Sequence, residues 1–255
     1  MRELTIVVPA FNEERRLPRL LAFLEQEADE TARAAGLQLS ETIIVDDGST
    51  DRTRAVLEQH RGLRMRVISH ETNRGKGAAV RSGILATQTP LALVMDVDLS
   101  TPPSYLVPLA TAIEQGADVA IGSRALSDSD IVVRQPAFRE LMGKAFNRLF
   151  RLATGLSLRD TQCGFKLFLL QTTRVLFEEQ QIEGFAFDAE ILVRAERRGL
   201  EVVELPVSWS NDPATSVKLF GSSGRMALDL LRIAGVARAR GGRPRTSYRG
   251  SATRR

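Results

Sequence analysis

The stretch Leu91-Ala92-Leu93-Val94-Met95-Asp96-Val97-Asp98-Leu99-Ser100 decides how the rest of the chain is read. Five apolar residues run straight into two carboxylates. A short apolar run with so sharp a polar end reads as a buried strand whose carboxyl end lies at the acids. In extended backbone, residues i and i+2 project the same way, so Asp96 and Asp98 can face one cation. Two carboxylates that close raise each other's proton affinity. A divalent ion removes the conflict, and hard oxygen ligands favour Mg²⁺ or Mn²⁺. An isolated Asp-x-Asp also occurs as a solvated strand end, so the neighbouring segments have to decide.

Outward from this strand the first half alternates regularly. Apolar, β-branched runs predict strands at 4–8, 42–45, 66–69, 91–95 and 118–121. Helical patterns fall between them. Leu17, Leu20, Leu21, Leu24 and Ala28 predict a helix over 18–35. Thr50 and Asp51 cap another that runs to about 59, and two more cover 75–87 and 103–115. This is an α/β chain with right-handed crossovers, a mostly parallel Rossmann-like sheet and flanking helices. Ligands in such folds sit at the carboxyl ends of the strands. The loops there are 9–14, 46–50, 73–76, 96–101 and 122–124. The second half predicts a helix over 136–154, a loop and strand over 159–170, a helix over 187–198, a strand over 201–209 and a last helix over 223–239. We expect one domain over 1–238, with a donor half of about 1–124 and a smaller acceptor half of about 125–238.

Composition limits what this domain can do. The 255 residues are 43% hydrophobic and 26% charged, as in soluble globular proteins. The net charge is +4, yet residues 238–255 hold seven Arg and no acid, and taking those seven away leaves residues 1–237 at about −3. The body is therefore mildly acidic, which argues against a nucleic-acid partner. Residues 239–255 are expected to form a disordered basic tail. The lone Cys163 excludes an internal disulfide and a Cys-based zinc site. With no signal peptide and no apolar run of about 18 residues, the expectation is a cytoplasmic protein, at most peripheral on the inner face of a membrane and not secreted.

Two further loops add chemistry. Asp46-Asp47-Gly48-Ser49-Thr50-Asp51 ends the second strand. A turn with an N-cap explains part of it, but not Asp46, which closes an apolar strand. Asn73-Arg74-Gly75-Lys76-Gly77 is a basic, Gly-rich strand-to-helix turn whose N–H groups and Lys76 suit an anion. Neither a GxxxxGK[ST] loop nor a GxGxxG fingerprint is present.

Taken together, Val7-Val8-Pro9-Ala10-Phe11-Asn12-Glu13, Val45-Asp46-Asp47-Gly48-Ser49-Thr50-Asp51 and Asp96-Val97-Asp98 resemble the successive signatures of the family-two glycosyltransferases. That resemblance implies a GT-A fold, a nucleotide-sugar donor and inversion at the anomeric carbon. Gly122-Ser123-Arg124, the run 159–168 (RDTQCGFKLF) and Phe185-Ala186-Phe187-Asp188-Ala189-Glu190 look like the dolichyl-phosphate glucosyltransferase branch, sister to dolichyl-phosphate mannose synthase. The likeness covers about residues 3–232.

It implies a donor site of Pro9, Ala10, Asn12, Glu13, Asp46, Asp47, Lys76, Asp96 and Val97. Glu13 falls near the base or ribose, and Asp46 or Asp47 accepts from the base. Asp96 and Asp98 hold the metal, with Ser100 as a further candidate. Arg124, Arg139 and Lys218 match basic positions for an acceptor phosphate, a role to which fixed cations are suited. Phe11 stands where Tyr is more usual.

Asp98, Arg124 and Asp188 are the candidate catalytic residues. Asp188 is the best-placed base, and it also sits where a carboxylate caps a helix. A sugar hydroxyl needs a base, whereas a phosphate monoester, with a second pKa of about 6, is largely ionised at neutral pH. Glu190 reads as structural, Cys163 as a buried small residue, and His60 and His70 as surface residues. Phe138, Leu141, Met142, Phe146 and Leu149, edged by Arg and Lys, suit either a membrane interface or a helix packed on the sheet. The tail suits either anionic lipid or plain solubility.

The leading expectation is transfer of a hexose, glucose in first place, from a nucleotide sugar, UDP-glucose or GDP-mannose, to a polyprenyl or dolichyl phosphate. GDP-mannose as donor, a soluble or glycan hydroxyl as acceptor, and a non-catalytic nucleotide-binding domain are the alternatives.

Overall fold

The computed structural model of the chain describes residues 1–60, 64–133, 154–156 and 158–210, together with Asp229, Arg232, Ile233, Gly235, Thr246 and Ser247. Arg139, Lys218, the apolar stripe of 138–149 and almost all of the last helix and tail lie outside the described residues.

Ten strands are described: β1 (Arg2–Ala10), β2 (Leu37–Asp46), β3 (Met65–Ser69), β4 (Leu91–Val94), β5 (Val119–Ser123), β6 (Ile131–Val133), β7 (Lys166–Leu169), β8 (Val202–Pro206), β9 (Trp209–Ser210) and β10 (Thr246–Ser247). Eight of them form one sheet in the order β10-β8-β5-β7-β4-β1-β2-β3. Every pairing in it is parallel except those of β7, which runs antiparallel to both β4 and β5. β6 and β9 form a separate parallel pair.

The helices are α1 (Leu17–Gln26), α2 (Ala28–Ala34), α3 (Thr53–Gln59), α4 (Lys76–Ala86), α5 (Leu106–Glu114), α6 (Leu170–Glu178) and α7 (Phe187–Arg197). They cover both faces of the sheet, as the alternation in the sequence requires. Leu4, Ile6 and Val8 of β1 point into a core shared with α1, α2 and α5. Val7 points the opposite way, into a core shared with α4, α6 and α7. Each fully buried Leu or Ile, such as Leu4, Ile43 or Leu91, contributes about 1.5–3 kcal/mol. The stability of the fold therefore lies in the sheet, and the loops at its ends are left for chemistry.

The chain runs from β1 outward to β2 and β3, then returns to β4 on the other side of β1. That reversal opens a crevice at the carboxyl ends of β1 and β4, where ligands of open α/β sheets bind. Pro9 lies past the last rung of β1 with β4, which is Val7 with Val94, so its missing N–H removes nothing from that ladder.

Four expectations change in detail. The strand over 201–209 is two, β8 in the large sheet and β9 paired with β6. The helix over 18–35 is two helices, broken at Glu27, whose φ of −124° is not helical. Ala28 and Ala32 are both buried, and their small side chains let α2 lie close on β2. The helix over 103–115 begins as a 3₁₀ turn, Pro103–Tyr105. Within 159–170 the strand is only Lys166–Leu169, and α6 follows it directly. Thr172, Thr173 and Val175 mask that helix in the sequence, although Leu170, Thr173, Leu176 and Phe177 are buried at helical spacing.

Candidate active site

Two loops clasp each other at the ends of β1 and β2. Asn12 adopts a left-handed φ of 56°, which Asn tolerates better than most residues. Its backbone N–H donates to Ser49 Oγ at 2.9 Å, and its Oδ1 accepts from the N–H of Thr50 at 2.8 Å and of Asp51 at 3.3 Å. Glu13 N–H donates to Thr53 Oγ1 at 2.7 Å. Asp51 Oδ1 accepts from Thr53 N–H, so it does cap the start of α3. Ala10 O accepts from Asp47 N–H at 2.8 Å. Pro9, Ala10, Asn12 and Glu13 thus form one rigid ledge. Glu13 is nearly buried and grips the Arg16 guanidinium with both oxygens. Burial pushes its carboxyl up to about 7, against the pull of Arg16.

Asp46 and Asp47 are both buried but differ in use. Asp46 Oδ1 accepts from Ser49 N–H at 3.0 Å. Asp47 receives His70 Nδ1 at 2.6 Å, Asn73 Nδ2 at 3.0 Å, Arg74 N–H at 3.1 Å and Gly75 N–H at 2.7 Å. Its carboxylate builds the turn that starts α4. Gly75 holds φ 117° there, and a Cβ on it would lie 2.5 Å from Glu183 O. His70 is not a surface residue as its sequence context suggests. Its ring is largely covered, between Asp47 and Ser82 Oγ, which lies 2.9 Å from Nε2.

The turn delivers Lys76 to Asp96, with Nζ 2.6 Å from Oδ1. Burial favours the neutral amine, but the carboxylates of Asp96, Asp188 and Asp98 outweigh it and hold Lys76 charged, above its ordinary range. Asp98 lies 3.6 Å from the Arg16 guanidinium. Burial and then Asp96 push its carboxyl up. Val97 between them is buried, so its side chain serves the core and only its backbone is open to a ligand. Leu99 follows in a left-handed conformation, φ 50°, strained for a bulky residue.

Among the described residues no group of three or more His, Cys, Asp or Glu side chains is arranged to hold a metal. What is present still fits a hard divalent ion. Asp96 and Asp98 supply carboxylates, and Ser100 Oγ, buried beside Asp98, has no hydrogen-bond partner among the described residues. Gly164 packs directly on Asp96, and a Cβ there would fall 1.9 Å from Oδ2. The carboxylate is therefore positioned by the 159–168 run as well as by its own strand.

That run also forms closed ion pairs. Arg124 donates through Nε at 2.7 Å and Nη2 at 2.9 Å to Asp160. Burial opposes the charge on Asp160, but Arg124 more than offsets it and the carboxyl lies below its ordinary range. Arg159 and Asp160 donate their N–H groups to buried Glu204. The Arg124 guanidinium also lies 5.4 Å from the centre of the Trp209 ring. Lys166, fully buried, places Nζ 2.6 Å from Asp188 Oδ1 and donates to Cys163 O. Burial pushes the Asp188 carboxyl up, offset in part by Lys166 and Lys76. Asp188 makes no side-chain cap bond at the start of α7. Glu190 accepts from the N–H groups of Gln181 and Ile182 and pairs with Arg194, which is the structural role its position suggests. Cys163 is buried, as expected.

Sequence reasoning thus missed Arg16, His70, Asp160, Lys166, Glu204 and Trp209. Only Lys166 carried a signal, as a lone cation inside an otherwise apolar strand.

A switch-point crevice with an Asp-Val-Asp segment at its β4 edge, over a sheet carrying one antiparallel strand, is the arrangement of a GT-A glycosyltransferase. The chain belongs to that class through the family described as glycosyl transferase family 2, whose model matches residues 5–175. More narrowly, it is similar to the dolichyl-phosphate beta-glucosyltransferase of Drosophila melanogaster, with 38% identity over 91% of this chain and 74% of the relative. The human protein of the same name is 31% identical over 91% of this chain and 75% of its own length. Among solved structures, glucosyl-3-phosphoglycerate synthase from Mycobacterium tuberculosis in complex with Mn²⁺, UDP and glucosyl-3-phosphoglycerate superposes with a TM-score of 0.66. Its 20% identity, over 92% of this chain and 80% of that one, speaks to the fold alone.

Proposed function

We propose that the chain transfers glucose from UDP-glucose to a polyprenyl phosphate of the dolichyl type, with inversion. The observation that carries this is the likeness, at 31–38% identity over nine-tenths of the chain, to relatives named for that reaction, joined to the carboxylates at the switch point. Asp96 and Asp98, with Ser100 beside them, would hold Mg²⁺ or Mn²⁺, which when bound neutralises charge developing on the leaving diphosphate. The ledge of Pro9, Ala10, Asn12 and Glu13, with Asp46, Asp47 and the Val97 backbone, would receive the nucleotide. Lys76 and Arg16 now rest on carboxylates and can turn to diphosphate oxygens. Arg139 and Lys218 remain the candidates for the acceptor phosphate. Arg124 joins them only as a guanidinium already shared with Asp160.

The state of Asp188 favours a phosphate acceptor over a hydroxyl. A general base needs a free, reachable carboxylate, and Asp188 is buried against Lys166. A phosphate monoester arrives largely ionised and needs no base. Among the described residues no helix is long and apolar enough to cross a membrane. In this reading the basic tail can add about 1 kcal/mol per Arg near anionic lipid.

The test is metal-dependent release of nucleotide diphosphate from UDP-glucose and from GDP-mannose, each with and without a short polyprenyl phosphate. We expect turnover with UDP-glucose and the lipid phosphate. Turnover with GDP-mannose alone would overturn the donor. Turnover on a glycan hydroxyl that Asp188→Asn abolishes, with donor binding intact, would overturn the acceptor.

A further inference from the structure

We propose that His70 is a positioning residue for the transfer: through Asp47 it holds the turn that aims Lys76 at the donor diphosphate. This rests on the reading above, in which Lys76 turns from Asp96 to that diphosphate. His70 directly follows β3, and its backbone N–H donates to Asp46 O at 2.8 Å. Its side chain is 9% exposed and that of Asp47 is 3% exposed, so the pair is shielded from water. A carboxylate can only accept, so Nδ1, 2.6 Å from Asp47 Oδ1, carries the ring hydrogen. Nε2 faces Ser82 Oγ at 2.9 Å, on the second turn of α4.

Each oxygen of Asp47 accepts two bonds. Oδ1 takes His70 Nδ1 and Arg74 N–H, and Oδ2 takes Asn73 Nδ2 and Gly75 N–H. The carboxylate therefore grips three consecutive residues, 73–75, and one ring from outside the turn. Lys76 is the next residue, and its Nζ lies 2.6 Å from Asp96 Oδ1. Away from water such a network holds its members more firmly than the same bonds would at the surface. Without the imidazole, Asp47 is left with the turn alone and can rotate with it. The other side of the helix start is held separately, since Ala78 N–H donates to Glu183 O at 3.1 Å. Loss of His70 should therefore misplace Lys76 rather than unfold α4.

The experiment uses the full chain with Mg²⁺. Calorimetry gives dissociation constants for UDP and for UMP, which lacks the β-phosphate, and turnover is followed with UDP-glucose and a short polyprenyl phosphate. His70→Ala should weaken UDP about five- to tenfold, leave UMP within about twofold, and lower kcat about tenfold. In a Lys76→Met background the same substitution should change UDP affinity by less than about twofold, because the side chain it acts through is gone. His70→Asn places an amide donor near the position of Nδ1 and should recover most of the loss. His70→Gln carries its amide toward Ser82 instead and should not. These two variants carry the test if His70→Ala does not fold. If His70→Ala weakens UMP as much as UDP, or costs the same in both backgrounds, or if Asn and Gln behave alike, His70 does not act through Lys76 and the proposal fails alone. If the wild type binds neither UDP nor UDP-glucose, it falls together with the function it rests on.

Discussion

The carboxylates at the carboxyl ends of β1 and β4 and those of the 159–190 region are opposites in how their charge is answered. Asp96 and Asp98 have side chains 37% and 20% exposed, and each leans on a single cation, Lys76 or Arg16. Asp160, Asp188 and Glu190 are nearly buried, and each meets a cation just as enclosed or fixed by more than one bond. The residue types are the same, but burial and bond number differ, and these decide what a pair can do. A pair joined by a single contact, with its carboxylate edge open to solvent, can exchange its partner for a charged ligand without stranding a buried charge. A closed pair cannot be opened without stranding a buried charge. The first group is therefore equipped for donor and metal, and the second for holding the loops that aim them.

The sharpest way to break this contrast is to remove an open carboxylate. Asp96→Asn or Asp98→Asn should lower turnover at least about a thousandfold, roughly 4 kcal/mol, read as release of nucleotide diphosphate. The melting temperature should stay within a few degrees of the wild type, because little stability resides there. The closed group should answer in the reverse sense. Lys166→Met leaves Asp188 buried without a partner and should cost about 3 kcal/mol in denaturant midpoint analysis. Adding Asp188→Leu to Lys166→Met should return most of that loss, since an apolar pair of similar size fills the same space. If Asp98→Asn unfolds the protein as readily as Lys166→Met, the two groups are not distinct.

The open group was legible in the sequence and the closed group was not, and the reason is geometric. Asp96 and Asp98 sit where an apolar strand stops, and Lys76 sits in a Gly-rich turn that opens α4; both are local events. The β-α alternation, and with it the parallel part of the sheet and the switch-point crevice, is likewise a matter of local period. The partners of those residues are set by distant chain. Asp47 meets His70 across 23 positions, Lys166 meets Asp188 across 22, and Asp96 touches Gly164 across 68. No period in the sequence joins such positions. His70 therefore reads as a surface residue and proves to be half of a buried pair. The antiparallel insertion of β7 between β4 and β5 was hidden for the same reason, since a four-residue apolar run does not state its direction.

Gly164 links the two groups, and it offers an intermediate test. Its backbone belongs to the closed region but lies against an open carboxylate. Gly164→Ala places a methyl group where Asp96 Oδ2 now stands, so the carboxylate must move. A displacement of about 1 Å at a reacting site can cost about a hundredfold. We expect a fall of about ten- to a hundredfold in turnover with a parallel loss of metal affinity, measured by titrating Mn²⁺. Stability should fall less than in Lys166→Met, because no buried charge loses its partner. A drop in stability with metal affinity unchanged would mean that the backbone yields and Asp96 does not depend on it.

The smallest effect concerns Glu13, which stands between the two groups: nearly buried like the closed set, yet paired with the same Arg16 that faces Asp98. Its carboxyl is raised from an ordinary 4.5 to about 7, by burial first and then by Asp98 and Asp96, with Arg16 opposing. A raised carboxyl holds a proton in the folded state that the unfolded chain has already released. Its contribution to stability is therefore complete below about pH 4.5 and is lost as pH rises through about 7. Asp98 and Asp188 shift in the same sense and Asp160 in the opposite one, so the wild-type profile alone does not isolate Glu13. The difference between wild type and Glu13→Gln does. Below pH 4.5 the two side chains are both neutral and the proteins should be equally stable. Between pH 4.5 and 7 Glu13→Gln should gain on the wild type by about 1–3 kcal/mol, read from urea midpoints at a series of pH values. A constant difference across that range would mean that Arg16 holds Glu13 ionised throughout, and would place the pair with the closed group instead.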